Sequence, residues 1–297
     1  MHVLVTGASG FVGSRLVPAL LDAGHEVTAM TRDASGYDAP EDVAVVEGDL
    51  LEGDSLEGCF EGIDAAYYLV HSLQAGEAFA ERDRTAARNF TAAASEAGVD
   101  RVVYLGGLGE TGADLSEHLQ SRREVEAVLG DGSFAVTTLR AAIIIGDGSA
   151  SFEMVRQLAG KLPVMITPRW VRTECQPIAI EDVIAYLVGV LDVPETAGET
   201  YEIGGPDVLT YERLVRQTAR QLGKHPLIVP VPVLSPGLSV YWVDLVTDVP
   251  KSIAHPLVYG LKNPVVVTDD RIRDLVDVEL TPFEDAVAAA LEDGGRA

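Results

Sequence analysis

Val3-Leu4-Val5-Thr6-Gly7-Ala8-Ser9-Gly10-Phe11-Val12-Gly13 is the stretch that decides the fold of this chain. Val3 to Val5 is an apolar run that reads as a buried strand. Three glycines follow, each three residues from the next, and an amphipathic segment starts directly after them. Phe11, Val12, Leu16, Leu20 and Leu21 fall on or near one helical face. The order is strand, tight turn, helix. Gly7 makes the turn, Gly10 lets a pyrophosphate approach the backbone, and Gly13 lets helix and strand pack closely. The free N–H groups and the dipole at the helix start favour negative charge. A dinucleotide is therefore the expected ligand, and Ser9, Phe11 and Val12 belong with the three glycines in its expected site.

Working outward, Glu26 to Met30 reads as the second strand and ends at Thr31-Arg32-Asp33. This lies about 20 residues past the last glycine, where a dinucleotide fold meets the adenosine ribose. An acid there selects NAD, whereas an arginine accepts the 2′-phosphate of NADP. Arg32, with Arg15 nearby, points to NADP; the adjacent Asp33 keeps NAD as the alternative. Val43 to Val46 and Asp64 to Val70 read as the third and fourth strands. The fourth ends in Leu69-Val70-His71-Ser72, and ligands bind outside the carboxyl ends of parallel strands. Leu69 and His71 are therefore candidates to touch cofactor or substrate.

Helices over Glu77–Ala97 and Ser116–Gly130 alternate with strands over Arg101–Leu105 and Phe134–Ile145. This alternation predicts an α/β fold with a doubly wound parallel sheet. We expect a single domain over 1–297, its sheet built mainly from 1–146 plus 174–205. A smaller substrate lobe is expected from 149–173 and 206–297. Within that lobe Ser149 to Leu162 reads as a helix. Gln176 to Asp182 reads as a strand feeding a helix start. Thr210 caps a further helix, and Pro282 to Leu291 forms the last. Phe152, Met154, Met165, Trp170, Arg172 and Gln176 are the expected pocket liners. Trp170 with Arg169 and Arg172 suits an anionic, partly apolar ligand. The proline-punctuated apolar stretch 226–246 suits a lobe core, a lid, a dimer surface or a membrane-surface contact.

The chain has 297 residues, 47% of them hydrophobic, which is ample for a core. It carries 46 Asp and Glu against 22 Lys and Arg, a net charge of −24. Such a surface repels phosphates, so nucleic acid is excluded as a partner. The acids are spread along the chain and read as a solvated surface. Cys59 and Cys175 have no metal-ligand spacing and form no disulfide framework, and six scattered histidines add no metal site. The chain begins on a strand and holds no run of about 18 apolar residues, so neither a signal peptide nor a transmembrane helix is expected. A cytoplasmic location follows as an expectation, and a homo-oligomer or a protein partner stays open.

Five stretches resemble one family: Thr6 to Gly13, Val103 to Gly109, His118 to Arg122, Leu139 to Gly146 and Pro177 to Val183. Together they are similar to the atypical short-chain dehydrogenase/reductases, in the branch of NmrA-like proteins and the complex I 39-kDa-type subunit. The acidic, lysine-poor, alanine-rich composition also resembles proteins of salt-loving archaea. The resemblance implies NAD(P) binding, with Asp49 and Leu50 bordering the adenine. It adds Gly106, Arg140, Ala141, Ala142 and Ile143 to the cofactor-binding set. It also implies a serine on the fifth strand and a Tyr/Lys pair on the next helix. This chain departs from the pattern at all three places, having Gly106 and Gly107 on the strand and His118 and Arg122 on the helix. His118 and Arg122 share a face. In one reading His118 donates a proton, its reference pKa lying near neutrality, and Arg122 anchors a ribose or a substrate anion. In the other, the site binds cofactor without turnover. The functions expected from the resemblance are, in order, three. First is an oxidoreductase on a small or lipophilic carbonyl or alkene. Second is a non-catalytic redox sensor or assembly subunit. Third is a nucleotide-sugar epimerase or dehydratase.

Overall fold

A computed structural model describes residues 1–72, 78–109, 117–161, 164–167, 169–230, 248, 250 and 263–295. Seven parallel strands form the central sheet. They are β1 (His2–Thr6), β2 (Glu26–Thr31), β3 (Val43–Glu47), β4 (Ala65–Tyr68), β5 (Arg101–Gly107), β6 (Ala135–Ala141) and a last strand, Thr200–Ile203. Their spatial order runs from the last strand through β6, β5, β4 and β1 to β2 and β3. Chain direction reverses its march at β1, and ligands bind at such a switch point.

The sheet is buried on both faces, and period-2 alternation sorts its side chains. Val3, Val5, Tyr67 and Val103 face α1 (Gly13–Asp22) and the helix Ile180–Asp192. Leu4, Tyr68, Val102 and Tyr104 face α2 (Phe79–Glu96) and α3 (Glu117–Gly130). On α2, Asp83, Ala86, Ala87, Phe90 and Ala94 form the buried stripe, the helical period expected of a core-facing side.

β6 ends earlier than the sequence suggests. The single strand expected over Phe134–Ile145 stops at Ala141, because the chain then changes partners. The Ala141 carbonyl accepts from the Leu108 N–H at 2.8 Å, and Ile178 N–H donates to the Ile143 carbonyl at 3.0 Å. Ile144–Ile145 (β7) consequently pairs outside the central sheet. Of the expected sheet residues 174–205, only Thr200–Ile203 joins it. Glu174–Cys175 (β9) and Ile178–Ala179 (β10) lie in small two-stranded ladders, β9 with Leu209–Thr210 and β10 with β7. The intervening β8 (Val164–Thr167) pairs with Leu227–Pro230. The last sheet strand is thus β11, Leu209–Thr210 is β12 and Leu227–Pro230 is β13.

The second lobe has its own core. α4 (Ala150–Lys161), α5 (Ile180–Asp192), α6 (Tyr211–Gln221), the single turn α7 (Ile272–Leu275) and α8 (Phe283–Asp293) complete the described helices. Phe152, Val155 and Leu158 of α4 pack with Tyr211, Leu214 and Val215 of α6 and with Phe283 and Val287 of α8. Ser149 ends the link into α4, its Oγ accepting from Phe152 N–H at 3.3 Å, and Thr210 caps α6 by accepting from Arg213 N–H. Among the described residues no helix is long and apolar enough to cross a membrane. Residues 231–246 of the proline-punctuated stretch lie outside the described residues.

Candidate functional site

The glycine turn has the geometry its spacing demands. Gly7 has φ +70°, and the Gly10 N–H closes the turn on the Gly7 carbonyl at 2.9 Å. A Cβ on Gly13 would stand 2.2 Å from the Gly7 oxygen and 2.8 Å from Ala8 Cα. Backbone cannot yield to it, so only glycine lets α1 start this close to β1. Thr6 Oγ1 donates to the Tyr67 carbonyl at 2.9 Å and accepts from Leu69 N–H at 3.3 Å, which ties the turn to the end of β4. α1 has no side-chain cap at Val12 and no acid in its first turn. Ser14 and Arg15 N–H donate to the Gly10 and Val12 carbonyls at 2.9 and 3.1 Å, so the amides left for an anion are those from Phe11 to Gly13, and Ser9 and Gly10 beside them are exposed. This cradle fits a dinucleotide's pyrophosphate.

Phe11 leans away from that cradle toward the second lobe. Arg15 sits 4.8 Å over its ring and donates to the carbonyls of Phe11 and Asp147, both at 2.9 Å. A Cβ on Gly146 would stand 3.1 Å from Phe11 Cζ. Arg15 therefore clamps the turn to the link before α4.

At the ribose edge the two adjacent charges part. Asp33 Oδ1 accepts from the backbone and hydroxyl of Ser35 at 3.0 and 2.6 Å, and these bonds hold its carboxyl below its ordinary pKa. Arg32 is exposed at the end of β2 and has no hydrogen bond or ion pair among the described residues. Asp49 is half-buried; its Oδ1 accepts from Leu51 N–H at 2.9 Å, and the Leu50 carbonyl accepts from Asn89 at 2.8 Å.

Beyond the ends of β4 and β5 stand His71, His118 and Arg122, and the edge they share is the candidate crevice. β4 stops at Tyr68, shorter than the sequence suggests, so Leu69 to Ser72 turn out of the sheet. His71 is exposed, yet packed surroundings pull its imidazole down to about 4 through burial, with Arg122 adding to the shift. His118, half-buried on α3, is pulled down to about 3 by burial, then by Arg122 and His71. Tyr104 Oη donates to the Arg122 carbonyl at 3.2 Å. Gly106 is buried, and a Cβ on Gly107 would lie 2.9 Å from Leu119 Cδ2 and 3.9 Å from Arg122 Cγ. Leu119 thus fills the space a serine side chain at 107 would need.

Asp83 organises this crevice, and the sequence reading missed it. Its carboxylate is 3% exposed. Oδ1 accepts from Ser72 N–H at 2.6 Å and Oδ2 from Ser121 Oγ at 3.2 Å. One buried carboxylate therefore joins the residue after His71 to the residue before Arg122. The available signal was an acid sharing the buried stripe of Ala86, Ala87 and Phe90. The nearby Tyr68 hydroxyl is buried and has no partner among the described residues.

Other expected residues are placed differently. Arg140 forms a two-pronged pair with Glu126 of α3, at 3.2 and 2.6 Å. Ala141 is buried, and Ala142 and Ile143 form the bend where β6 changes partners. Phe152 and Met165 are buried together in the second core, with Met154 beside them. Gln176 is buried away from them as a strut. Its Nε2 donates to the Gly205 carbonyl at 2.7 Å, and its Oε1 accepts from Val267 N–H at 3.0 Å. Arg172 is exposed at the end of the turn Arg169–Arg172; the Trp170 side chain lies outside the described residues. Cys59 and Cys175 are buried and free, and the described residues hold no metal-ligand cluster.

Comparison with known proteins agrees with this geometry. Residues 7–160, more than half of the chain, match the NAD(P)H-binding family. The chain is 26% identical to (4-alkanoyl-5-oxo-2,5-dihydrofuran-3-yl)methyl phosphate reductase of Streptomyces griseus, over 95% of each chain. It is 24% identical to NADH dehydrogenase [ubiquinone] 1 alpha subcomplex subunit 9 of Arabidopsis thaliana, over 94% of this chain and 74% of that one. A local 36% identity to 3-beta-hydroxysteroid dehydrogenase of Mycolicibacterium neoaurum spans 35% of this chain and 31% of that protein. The fold is shared with a nucleoside-diphosphate-sugar epimerase of Staphylococcus aureus, with a TM-score of 0.77 at 16% identity over 97% of this chain and 100% of that one. Glycine turn, parallel sheet and relatives agree: the chain belongs to the NAD(P)H-binding family, within the atypical short-chain dehydrogenase/reductase superfamily.

Proposed function

We propose that this protein is an NADP(H)-dependent oxidoreductase that reduces a small or lipophilic carbonyl or alkene. The observation that carries the reading is one shared edge. The uncapped glycine turn and the pair His118 and Arg122 stand at the carboxyl ends of strands of the same sheet. A reduced nicotinamide bound there supplies hydride. The chain supplies position, and water supplies the proton that completes the reduction. His118 is neutral in its present surroundings, so its ring N–H donates a hydrogen bond to the substrate oxygen rather than acting as an imidazolium. Full-length similarity to a reductase supports this reading.

The NADP preference rests on charge. Asp33 is engaged by Ser35, which leaves Arg32 as the free group where the ribose is expected. Arg172 and Trp170 are the second lobe's proposed contribution to the substrate pocket, and the cytoplasm is the proposed location. NADPH and NADH are titrated separately into wild type and Arg32→Ala. At least about tenfold tighter NADPH binding, lost in the variant, is the expected result. Equal affinities for both nucleotides would overturn the preference.

A second reading, a cofactor-binding subunit without turnover, is favoured by the missing Ser, Tyr and Lys and by Leu119 filling the place of the serine. Similarity to an NADH dehydrogenase subunit also supports it. NADPH oxidation with aldehydes, quinones and enones separates the two. Turnover lost in His118→Ala selects the enzyme, and tight binding without turnover selects the subunit.

A further inference from the structure

We infer that the substrate carries an oxyanion, a phosphate or a carboxylate, held by Arg122 with His71 and His118 on either side. This rests on the oxidoreductase reading above and names its substrate class. The basic groups around Arg122 are already spoken for. Arg123 and Arg140 share Glu126, and Arg84 pairs with Glu124. The Arg122 guanidinium, half-buried, donates to no described residue. Withdrawing such a charge from water is costly unless an anion meets it.

Register and hydrogen bonding bring the imidazoles to that arginine. Tyr68 of β4 pairs with Tyr104 of β5. β4 ends there, and the Asp83 carboxylate then joins Ser72, next to His71, to Ser121, next to Arg122. His118 stands one helical turn before Arg122 on the same face. The groups packed around them are Tyr68 from β4, Tyr104 from β5 and Asp83 from α2. Asp83 is the one acid among these, and its two oxygens are engaged by Ser72 and Ser121. It fixes the geometry while leaving the crevice positive. Burial, and after it the Arg122 charge, pulls both imidazoles down. An arriving oxyanion reverses that effect, favouring the protonated imidazole.

Methyl phosphate and hexanoate are titrated at constant ionic strength into the full chain, with and without saturating NADPH, and followed by imidazole proton NMR shifts. The expected result is saturable binding of at least one of them, retained with NADPH present and weakened at least tenfold in Arg122→Gln. Arg122→Lys restores part of it, and His71→Asn weakens it independently. Which probe binds tells phosphate from carboxylate. Circular dichroism melting verifies that each variant is folded. No binding of either probe, or binding abolished by NADPH, would overturn the inference, the latter assigning Arg122 to the cofactor. Failure of NADPH itself to bind is read in the same titrations and counts against the oxidoreductase reading instead.

Discussion

Two arginines lean on the same strand, β5, and they are treated in opposite ways. Arg101 opens the strand at the amino end of the sheet and is 7% exposed. It faces no carboxylate among the described residues, yet its donors are met by neutral oxygens. They reach Thr137 Oγ1 at 3.0 and 3.3 Å, the Leu191 and Val193 carbonyls at 3.4 and 3.5 Å, and Thr196 Oγ1. Two of those carbonyls end α5, where a cation also complements the helix dipole. Arg122 stands near the other end of β5, half-buried, its guanidinium without a described partner. Tyr67 and Tyr68 repeat the contrast. The Tyr67 hydroxyl donates to the Leu187 carbonyl at 2.6 Å, and the Tyr68 hydroxyl has no partner among the described residues. Around Arg101 and Tyr67 the buried donors are met by protein oxygens. The carboxyl pole keeps polar groups in hand, which is the usual condition of a binding site.

The comparison breaks most visibly at Arg101. Replacing it with alanine strands two threonines and the end of α5 and opens a cavity. A loss of about 3 kcal/mol in urea denaturation is expected, with NADPH affinity of the folded fraction unchanged. A loss below about 1 kcal/mol would mean the amino pole is not a structural lock.

The second effect is a pH dependence at the carboxyl pole. His71 and His118 titrate near 4 and 3 in the folded protein against about 6.5 unfolded. Their neutral forms therefore contribute stability above pH 6.5, and that contribution is lost as pH falls toward 4, because the unfolded chain binds protons first. Exposure of His71 tempers its share. Between pH 7 and 5 the wild-type Tm should fall by about 2 °C more than that of the His71→Asn/His118→Asn variant. Parallel curves would show that the crevice does not depress these imidazoles.

The smallest effect sharpens the contrast. Arg122→Gln removes a guanidinium that nothing described holds, so stability should stay within about 0.5 kcal/mol of wild type. A cost like that of Arg101→Ala would place Arg122 among the structural arginines and remove it from the site.

Much of this was legible in the residues. The three glycines, the apolar run before them and the helical stripe after them give strand, turn and helix. Each is a local pattern whose meaning is set within a few residues. Thr210 as a cap and Arg32 as a charge at the end of β2 are equally local. Asp33 was visible as a residue but not as a side chain already engaged by Ser35. Phe152, Met165 and Gln176 read as pocket liners because apolar and amide side chains suit both a pocket and a core.

The sequence by itself determined the fold class and the cofactor family, because turn chemistry and hydrophobic period are written in neighbouring residues. Only the tertiary structure decided that Ala141 ends a strand, that Arg15 clamps Phe11 to Asp147, and that Asp83 ties Ser72 to Ser121. Those choices depend on strand order and register. They join residues far apart in the chain, and no local period records which distant partner a buried polar group will find.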